Sequence, residues 1–222
     1  TATDWLTDAR ARHIPEAIER AMLLAQEDSS ARVKQRALSR LGNGGDERVI
    51  PLLEEILKTS KGTSRRRAAA FRALLTLWSS PVPQVKPSQR AYNASMRWLK
   101  KTPRDHHHPP GSTLSAVRWA SHQLFKERAP WFDRDAFIDT ALSVLEDRNT
   151  SPQARTHLAD AMTHHAVPVE RWRALRERYG PIESLGSAEG RVVQHLEEVI
   201  ARGGAPRAPT KVDGVPPASP QP

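Results

Sequence analysis

The sequence predicts an all-α protein, arranged as a right-handed α-solenoid of four or five stacked antiparallel helix pairs. Apolar residues recur every three or four positions along most of the 222 residues, and no segment shows the alternation typical of a strand. The helical segments form pairs across short turns, and a related pattern of small, basic and apolar residues returns after about 30 to 50 residues. Each pair is therefore expected to bury its apolar stripe against the next.

The clearest helix pair lies at 31–57. Its two helices, ARVKQRALSRL and ERVIPLLEEIL, both carry apolar residues at helical spacing. The segment GNGGD joins them, with Gly42 and Asn43 suited to a left-handed helix stop and Asp46 suited to the next N-cap. These signals predict a helical hairpin.

The same periodicity predicts helices along the rest of the chain. Ser88, after Pro87, is expected to open one of these helices, and Ser151 with Pro152 another. The last helix is expected to end at paired glycines. The helical segments are 63–78, 87–99, 112–125, 134–147, 151–162, 168–180 and 187–204.

Proline-rich segments interrupt or end this pattern. Segments 79–87 and 102–111 contain three prolines each and are expected to be loops. The tail 203–222 has six prolines and few large apolar side chains, which predicts disorder. The predicted organisation is therefore a helical repeat domain over 1–202 followed by a disordered tail.

Composition excludes several kinds of function. The chain has no cysteine, which excludes disulfides, thiolate metal sites and cysteine nucleophiles. It contains no P-loop, no GxSxG and no dinucleotide fingerprint, so we predict no catalytic residues and no cofactor. No apolar run reaches the roughly 18 residues of a membrane span, and the first residues lack the apolar core of a signal peptide. The expectation is a cytoplasmic protein.

Basic residues are concentrated in one part of the chain. Segment 61–104 has eleven Lys and Arg and no acid, whereas the net charge of the whole chain is +9. A helical wheel brings Arg90, Arg97, Lys101 and Arg104 within about 60° of one another. A face of this kind attracts polyanions, because every phosphate contact releases a condensed counterion. The predicted binding residues are Arg65, Arg72, Arg90, Arg97, Lys100, Lys101 and Arg104, with Trp98 and Trp119 available for stacking on a base.

The hairpin at 31–57 resembles a HEAT or HEAT-like repeat, and SPQARTHLADAM matches part of the same pattern. The resemblance implies an array of helix pairs, and such arrays often bind proteins. Some HEAT-like proteins are alkylpurine DNA glycosylases, with an Asp aimed into a Trp-lined cleft. Trp98 and Asp105 are close in sequence, but Asp105 falls in a Pro-rich segment, so no catalytic residue is carried over.

Histidines offer a second pattern. His157, Asp160 and His164 fall within about 60° on one predicted helix face, which is the start of a two-His, one-carboxylate metal site. The run His106–His108 could complete it. The same spacing also arises by chance in a chain with nine histidines, and we assign no metal site from it.

These observations predict a non-catalytic binding or scaffold module. Its basic face at 61–104 is expected to bind either an acidic protein surface or nucleic acid. The alternatives are a HEAT-like DNA-binding enzyme of the alkylpurine glycosylase type, a face that binds anionic lipid, and a merely solvated outer surface.

Overall fold

The computed structural model describes residues 14–59, 65–80, 85–101 and 111–206. These ranges contain no strand, which confirms the prediction of an all-α fold. Residues 207–222 lie outside them, so the prediction for the tail is untested. The α-helices are α1 (Pro15–Glu27), α2 (Ala31–Asn43), α3 (Ile50–Thr59), α4 (Arg65–Ser79), α5 (Gln89–Lys101), α6 (Gly111–Ala120), α7 (Gln123–Arg128), α8 (Arg134–Glu146), α9 (Pro152–Met162), α10 (Val169–Tyr179) and α11 (Ser187–Ala201).

Helix α1 was not predicted, and the single helix expected over 112–125 is divided into α6 and α7. Three other helical segments begin where their capping residues predict. The side-chain oxygens of Asp46, Ser88 and Ser151 each accept a hydrogen bond from a backbone N–H two or three residues later, at 2.8, 3.0 and 3.2 Å. Each bond satisfies a donor that the first turn of a helix leaves without an intrahelical partner. The paired glycines also end the last helix as predicted, with φ of 65° at Gly203 and 79° at Gly204.

The turn after α2 differs from the prediction. We expected the helix to stop at Gly42 and Asn43, but α2 continues through Asn43 and the left-handed residue is Gly45, with φ of 72°. Gly42 has a different role. A Cβ atom at Gly42 would lie 2.7 Å from the Cα atom of Ala73 in α4, so the absence of a side chain allows the two helices to approach closely.

Two series of helix contacts run along the molecule. In the first series, α1, α2, α4, α6, α9 and α11 each contact the next member; in the second, α3, α5, α8 and α10 do the same. The series contact each other through α3 with α4, α4 with α5, α8 with α9 and α10 with α11. Helix α4 therefore packs against α2, α3, α5 and α6. No helix in the described ranges is long and apolar enough to cross a membrane.

Aromatic side chains connect the two halves of the core. Trp78 of α4 contacts Tyr92 of α5 and Phe125 of α7 edge to face, with ring centroids 5.4 and 5.8 Å apart. Phe132 then contacts Phe125 at 5.2 Å and Phe137 of α8 at 5.4 Å. Edge-to-face pairs of this kind add about 0.5 to 1.5 kcal/mol each beyond the burial of their area.

A buried arginine links helices in the C-terminal half. Arg155 of α9 is fully buried, and its guanidinium donates to the carboxylate of Glu189 in α11, to the hydroxyl of Tyr179 at 2.7 Å and to the carbonyl of Thr150 at 2.9 Å. Tyr179, at the end of α10, donates in turn to the carbonyl of Leu145 in α8. The network thus joins α8, α9, α10 and α11.

The close approach at Gly42 predicts that Gly42→Ala destabilises the protein. The added methyl group would meet the Cα and carbonyl oxygen of Ala73 at 2.7 and 2.9 Å, and α4 would have to shift. We expect a loss of about 1 to 3 kcal/mol in the free energy of unfolding, measured by urea denaturation. Gly190→Ala in α11 is the control: its Cβ atom would meet only a side-chain carbon of Ile182, at 3.8 Å, so we expect no loss. Equal stability of the two variants would contradict this role of Gly42.

The network around Arg155 predicts that Glu189→Ala is strongly destabilising. The substitution leaves a fully buried guanidinium without its carboxylate, which should cost about 3 kcal/mol in the free energy of unfolding. Glu197→Ala, in the same helix, breaks only a partly exposed ion pair with Arg176 and should cost less than about 1 kcal/mol. Chemical denaturation of both variants would measure the difference. Similar losses would show that the buried pair of Arg155 and Glu189 contributes no more to the free energy of unfolding than the partly exposed pair does.

His165 predicts a loss of stability in acid. Its side chain is 2% exposed, its Nε2 lies 2.7 Å from the carbonyl oxygen of Val117, and burial lowers its pKa to about 4. The unfolded pKa is higher, so the unfolded chain binds the proton first. Stability should therefore fall as the pH drops from about 6.5 to about 4, by up to about 1.4 kcal/mol per pH unit.

Melting temperatures of the wild type and of His165→Gln across this pH range would test the assignment. Glutamine retains an N–H donor for Val117 but does not titrate, so the variant should lose less stability in acid than the wild type. His157→Gln, the same substitution at an exposed position, is the control. An unchanged pH dependence in His165→Gln would contradict the assignment.

Candidate polyanion-binding surface

The two arginines of α5 point outward as predicted. Arg90 and Arg97 are exposed, together with Asn93 between them. Arg97 is not a free cation, however, because its guanidinium lies 2.9 Å from a carboxylate oxygen of Glu54 in α3. This ion pair corrects the expectation that no acid neutralises the face. The side chains of Lys100 and Lys101 are not described, and Arg104 lies outside the described ranges.

On α4, Arg65 and Arg72 lie on one line of the helix with Ala68 between them, and all three are exposed. The rest of α4 is largely covered by the four helices around it. Its free surface is therefore a narrow stripe, and the charges on that stripe are arginines.

The stripes of α4 and α5 face different sides, contrary to the expectation of one shared face. On α4, Trp78 faces α5, where its indole N–H donates to the hydroxyl of Ser95 at 3.2 Å. At 100° per residue, Trp78 lies about 120° to 140° from Arg65 and Arg72. On α5, Ser95 lies about 140° to 160° from Arg90 and Arg97 by the same measure. Each stripe therefore points away from the other helix.

The stripe of α4 instead continues on α2. The two helices run parallel: a guanidinium nitrogen of Arg66, at the start of α4, lies 3.1 Å from the carbonyl oxygen of Ala25 near the end of α1, close to where α2 begins. Gly42 near the end of α2 faces Ala73 in the second half of α4.

Arg32 and Arg36 are the exposed arginines of α2. Around the axis of α2, they lie about 80° to 120° from Gly42 in one direction of rotation. Around the axis of α4, Arg65 and Arg72 lie about 80° to 100° from Ala73 in the opposite direction. In parallel neighbours, opposite senses bring both stripes to the same side.

Helix α6 extends this row. Phe125, just after α6, contacts Trp78 at the C-terminal end of α4, so α6 also runs parallel to α4. Arg118 is exposed on α6, a helix that packs against both α4 and α9. It lies near His164: partial desolvation, the Arg118 guanidinium and His122 lower the pKa of His164, and Asp160 opposes them.

We call this row the arginine surface and define it by five exposed side chains on three neighbouring helices. None has an acidic partner within the described part of the chain, and the sequences of α2, α4 and α6 contain no acid. Acids return on the flanking helices, with Glu16, Glu19 and Glu27 on α1 and Asp160 on α9. The members of the arginine surface are Arg32, Arg36, Arg65, Arg72 and Arg118.

The second series of helices has a different charge pattern. Its neighbouring members are joined by ion pairs between α3 and α5, and between α8 and α10. These pairs use cations and acids together, so little net charge is left where they form. The three pairs are Glu54 with Arg97, Asp139 with Arg171, and Glu146 with Arg178.

The two tryptophans proposed for stacking are part of the packing. Trp98 is half-buried against the core, with the Arg67 guanidinium 5.9 Å from its ring centroid. Trp119 is also half-buried, its Nε1 is buried, and His122 stacks on its ring at 5.2 Å.

The histidine pattern does not form a metal site in the described ranges. Helix α9 ends at Met162, so His164 lies in a following 3₁₀ turn rather than on the predicted helix face. The Oδ1 atom of Asp160 lies 3.1 Å from Nε2 of His195 in α11. No group of three or more potential ligands capable of holding a metal ion occurs among these residues. His106, His107 and His108 lie outside them, as does Asp105.

Sequence reasoning missed Arg32, Arg36 and Arg118. We looked for a basic stretch that is continuous along the chain, whereas the arginine surface uses the helices of one contact series only. The available signal was the absence of acid from α2 and α6 as well as from α4.

Comparison with known proteins gives no further guide to this surface, since neither a protein family nor a curated protein matches the chain.

Proposed function

We propose that this protein is a non-catalytic, HEAT-like α-solenoid module that binds nucleic acid through its arginine surface. The two contact series support the solenoid, because helices that alternate between two layers produce such a pattern. The Gly-Asp turn between α2 and α3 matches that of a HEAT-like repeat, and α3 packs against α4, the next helix of the first series.

One observation carries the binding proposal. Five exposed arginines lie on three neighbouring helices whose sequences contain no acid, while the ion pairs between neighbouring helices of the other series combine both charges. A row of arginines suits phosphate groups, because each guanidinium can bind two oxygens of one phosphate. The affinity grows with every phosphate contacted.

Nucleic acid fits this surface better than an acidic protein does. Protein interfaces usually combine charge with exposed aromatic or aliphatic anchors at their centre. Among the side chains that the structure describes, which do not include Leu114 of α6, the exposed large apolar ones are Ile14 just before α1, Leu23 on α1 and Leu124 on α7. None of them belongs to α2, α4 or α6.

The hypothesis of a DNA glycosylase has less support than binding without catalysis. It requires an Asp directed into a cleft beside a Trp. Trp98 is contacted by the guanidinium of Arg67. Asp133 follows Trp131 and Phe132 in the chain, but its carboxylate accepts the N-cap hydrogen bond from the backbone N–H of Ala136 at 3.0 Å. We therefore propose binding without catalysis.

The test compares variants of equal charge. The surface variant combines Arg36→Gln, Arg72→Gln and Arg118→Gln, one change on each helix of the arginine surface. We expect it to bind labelled DNA and RNA oligonucleotides at least about tenfold more weakly than the wild type at about 50 mM salt, measured by fluorescence anisotropy. Circular dichroism should show the wild-type helix content, because all three positions are exposed.

The control variant removes three other exposed arginines, on α1, α10 and α11: Arg20→Gln, Arg173→Gln and Arg191→Gln. It has the same net charge as the surface variant but should bind nearly as tightly as the wild type. Equal losses in both variants would mean that overall charge, and not the arginine surface, determines binding.

A third variant tests the stripe on α5. Arg90→Gln, Arg97→Gln and Lys101→Gln should weaken binding less than the surface variant does, since Arg97 is paired with Glu54. A larger loss here would return the site to the 61–104 face. Absence of any binding at low salt would overturn the proposal and favour an acidic protein partner.

A further inference from the structure

We propose that the arginine surface recognises the phosphate backbone of double-stranded nucleic acid, in preference to single strands and without regard to base sequence. This inference rests on the proposed nucleic-acid function and names the form of nucleic acid that the surface fits. Three properties of the surface support it: the spacing of its cations, the rigidity of its helices and the absence of a stacking platform.

The spacing of the arginines suits two phosphate strands. Neighbouring packed helices lie about 8 to 10 Å apart, so the three rows on α2, α4 and α6 extend over about 16 to 20 Å. That distance exceeds the roughly 12 Å width of the major groove of B-form DNA. Cations at the two edges of the surface can therefore reach phosphates on opposite sides of a groove. A single strand offers only one such line of phosphates.

The arginines are carried by packed helices. Gly42 holds α2 against the backbone of α4, and α6 packs directly against α4. Their Cα positions are therefore fixed relative to one another. A duplex has a fixed phosphate spacing too, whereas a flexible single strand must lose conformational freedom to match a rigid array.

No stacking platform accompanies the cations. Surfaces that bind single strands combine a basic groove with aromatic rings on which bases stack. No tryptophan, tyrosine or phenylalanine belongs to the exposed residues of the described ranges. Trp119, the aromatic residue of α6, is half-buried and stacked on His122. The described part of the surface thus offers phosphate contacts but no exposed tryptophan, tyrosine or phenylalanine ring for an unpaired base.

The position of the arginines on their helices argues against recognition of a base sequence. Specific recognition needs side chains or an element that reach base edges in a groove. The cationic positions lie on the flanks of three helices packed side by side, which approach the backbone rather than enter a groove. Phosphate contacts fix orientation but carry no sequence information.

The experiment uses the full chain and four labelled probes of about 20 nucleotides per strand, longer than the site size of a typical binding domain. They are two DNA duplexes of unrelated sequence, one RNA duplex, and one DNA strand without stable secondary structure. Dissociation constants are measured at several salt concentrations for the wild type and the surface variant.

We expect both DNA duplexes to bind with equal affinity and at least about tenfold more tightly than the single strand at about 50 mM salt. With five phosphate contacts, the logarithm of the DNA affinity should fall against the logarithm of salt with a slope of about −4.5, and the surface variant should reduce this slope to about −2. The RNA duplex determines whether the surface accepts A-form geometry as well as B-form. Tighter binding of duplex DNA or duplex RNA than of the single strand supports the proposal.

Equal or tighter binding of the single strand, with the same loss in the surface variant, would overturn the duplex proposal while the proposed function stands. A difference of more than about tenfold between the two DNA duplexes would show base readout and would overturn the sequence-independent part. No binding to any probe would overturn both proposals.

Discussion

The contact between Gly42 and Ala73 is the constraint on which the rest of the structure depends. Because Gly42 has no side chain, α2 approaches the backbone of α4, and a Cβ atom there would lie only 2.7 Å from the Cα atom of Ala73. Ala69 and Ala70, which are also small and buried on α4, favour the same close packing. This approach fixes the relation between the arginines of α2 and those of α4. A packing feature of the core thus determines the charge arrangement on the surface.

The distribution of acids gives the molecule two different sides. In the second helix series, Glu54, Asp139 and Glu146 form ion pairs with arginines of the neighbouring helices. Exposed pairs of this kind contribute little to stability. Their larger effect is electrostatic, because they cancel cations on that side and leave the arginines of the first series as the local excess of charge.

The buried polar groups belong to the scaffold rather than to a site of chemistry. Arg155 is fully buried, and its bonds to Glu189 and Tyr179 connect α9 to α10 and α11. His165 packs against Phe137 with ring centroids 5.0 Å apart, and burial lowers its pKa. Both residues would indicate catalysis if they lay in an open cleft. Here their partners are core elements, and they connect the helices that lie beneath the surface.

The sequence by itself determined most of the helices and the caps at Asp46, Ser88 and Ser151, because apolar periodicity and capping residues act over only a few positions. It also determined that Arg90 and Arg97 are exposed, since the apolar stripe of one helix fixes its outer face. It did not predict α1, the end of α2 or the division of segment 112–125 into α6 and α7. Only the tertiary structure decided which faces lie side by side. The pairing of Arg97 with Glu54, and the separation of the α4 and α5 stripes, depend on contacts between residues more than 15 positions apart. The arginine surface draws one stripe from each of three alternate helices, so its members are close in space and distant in the chain, and no local pattern records that arrangement.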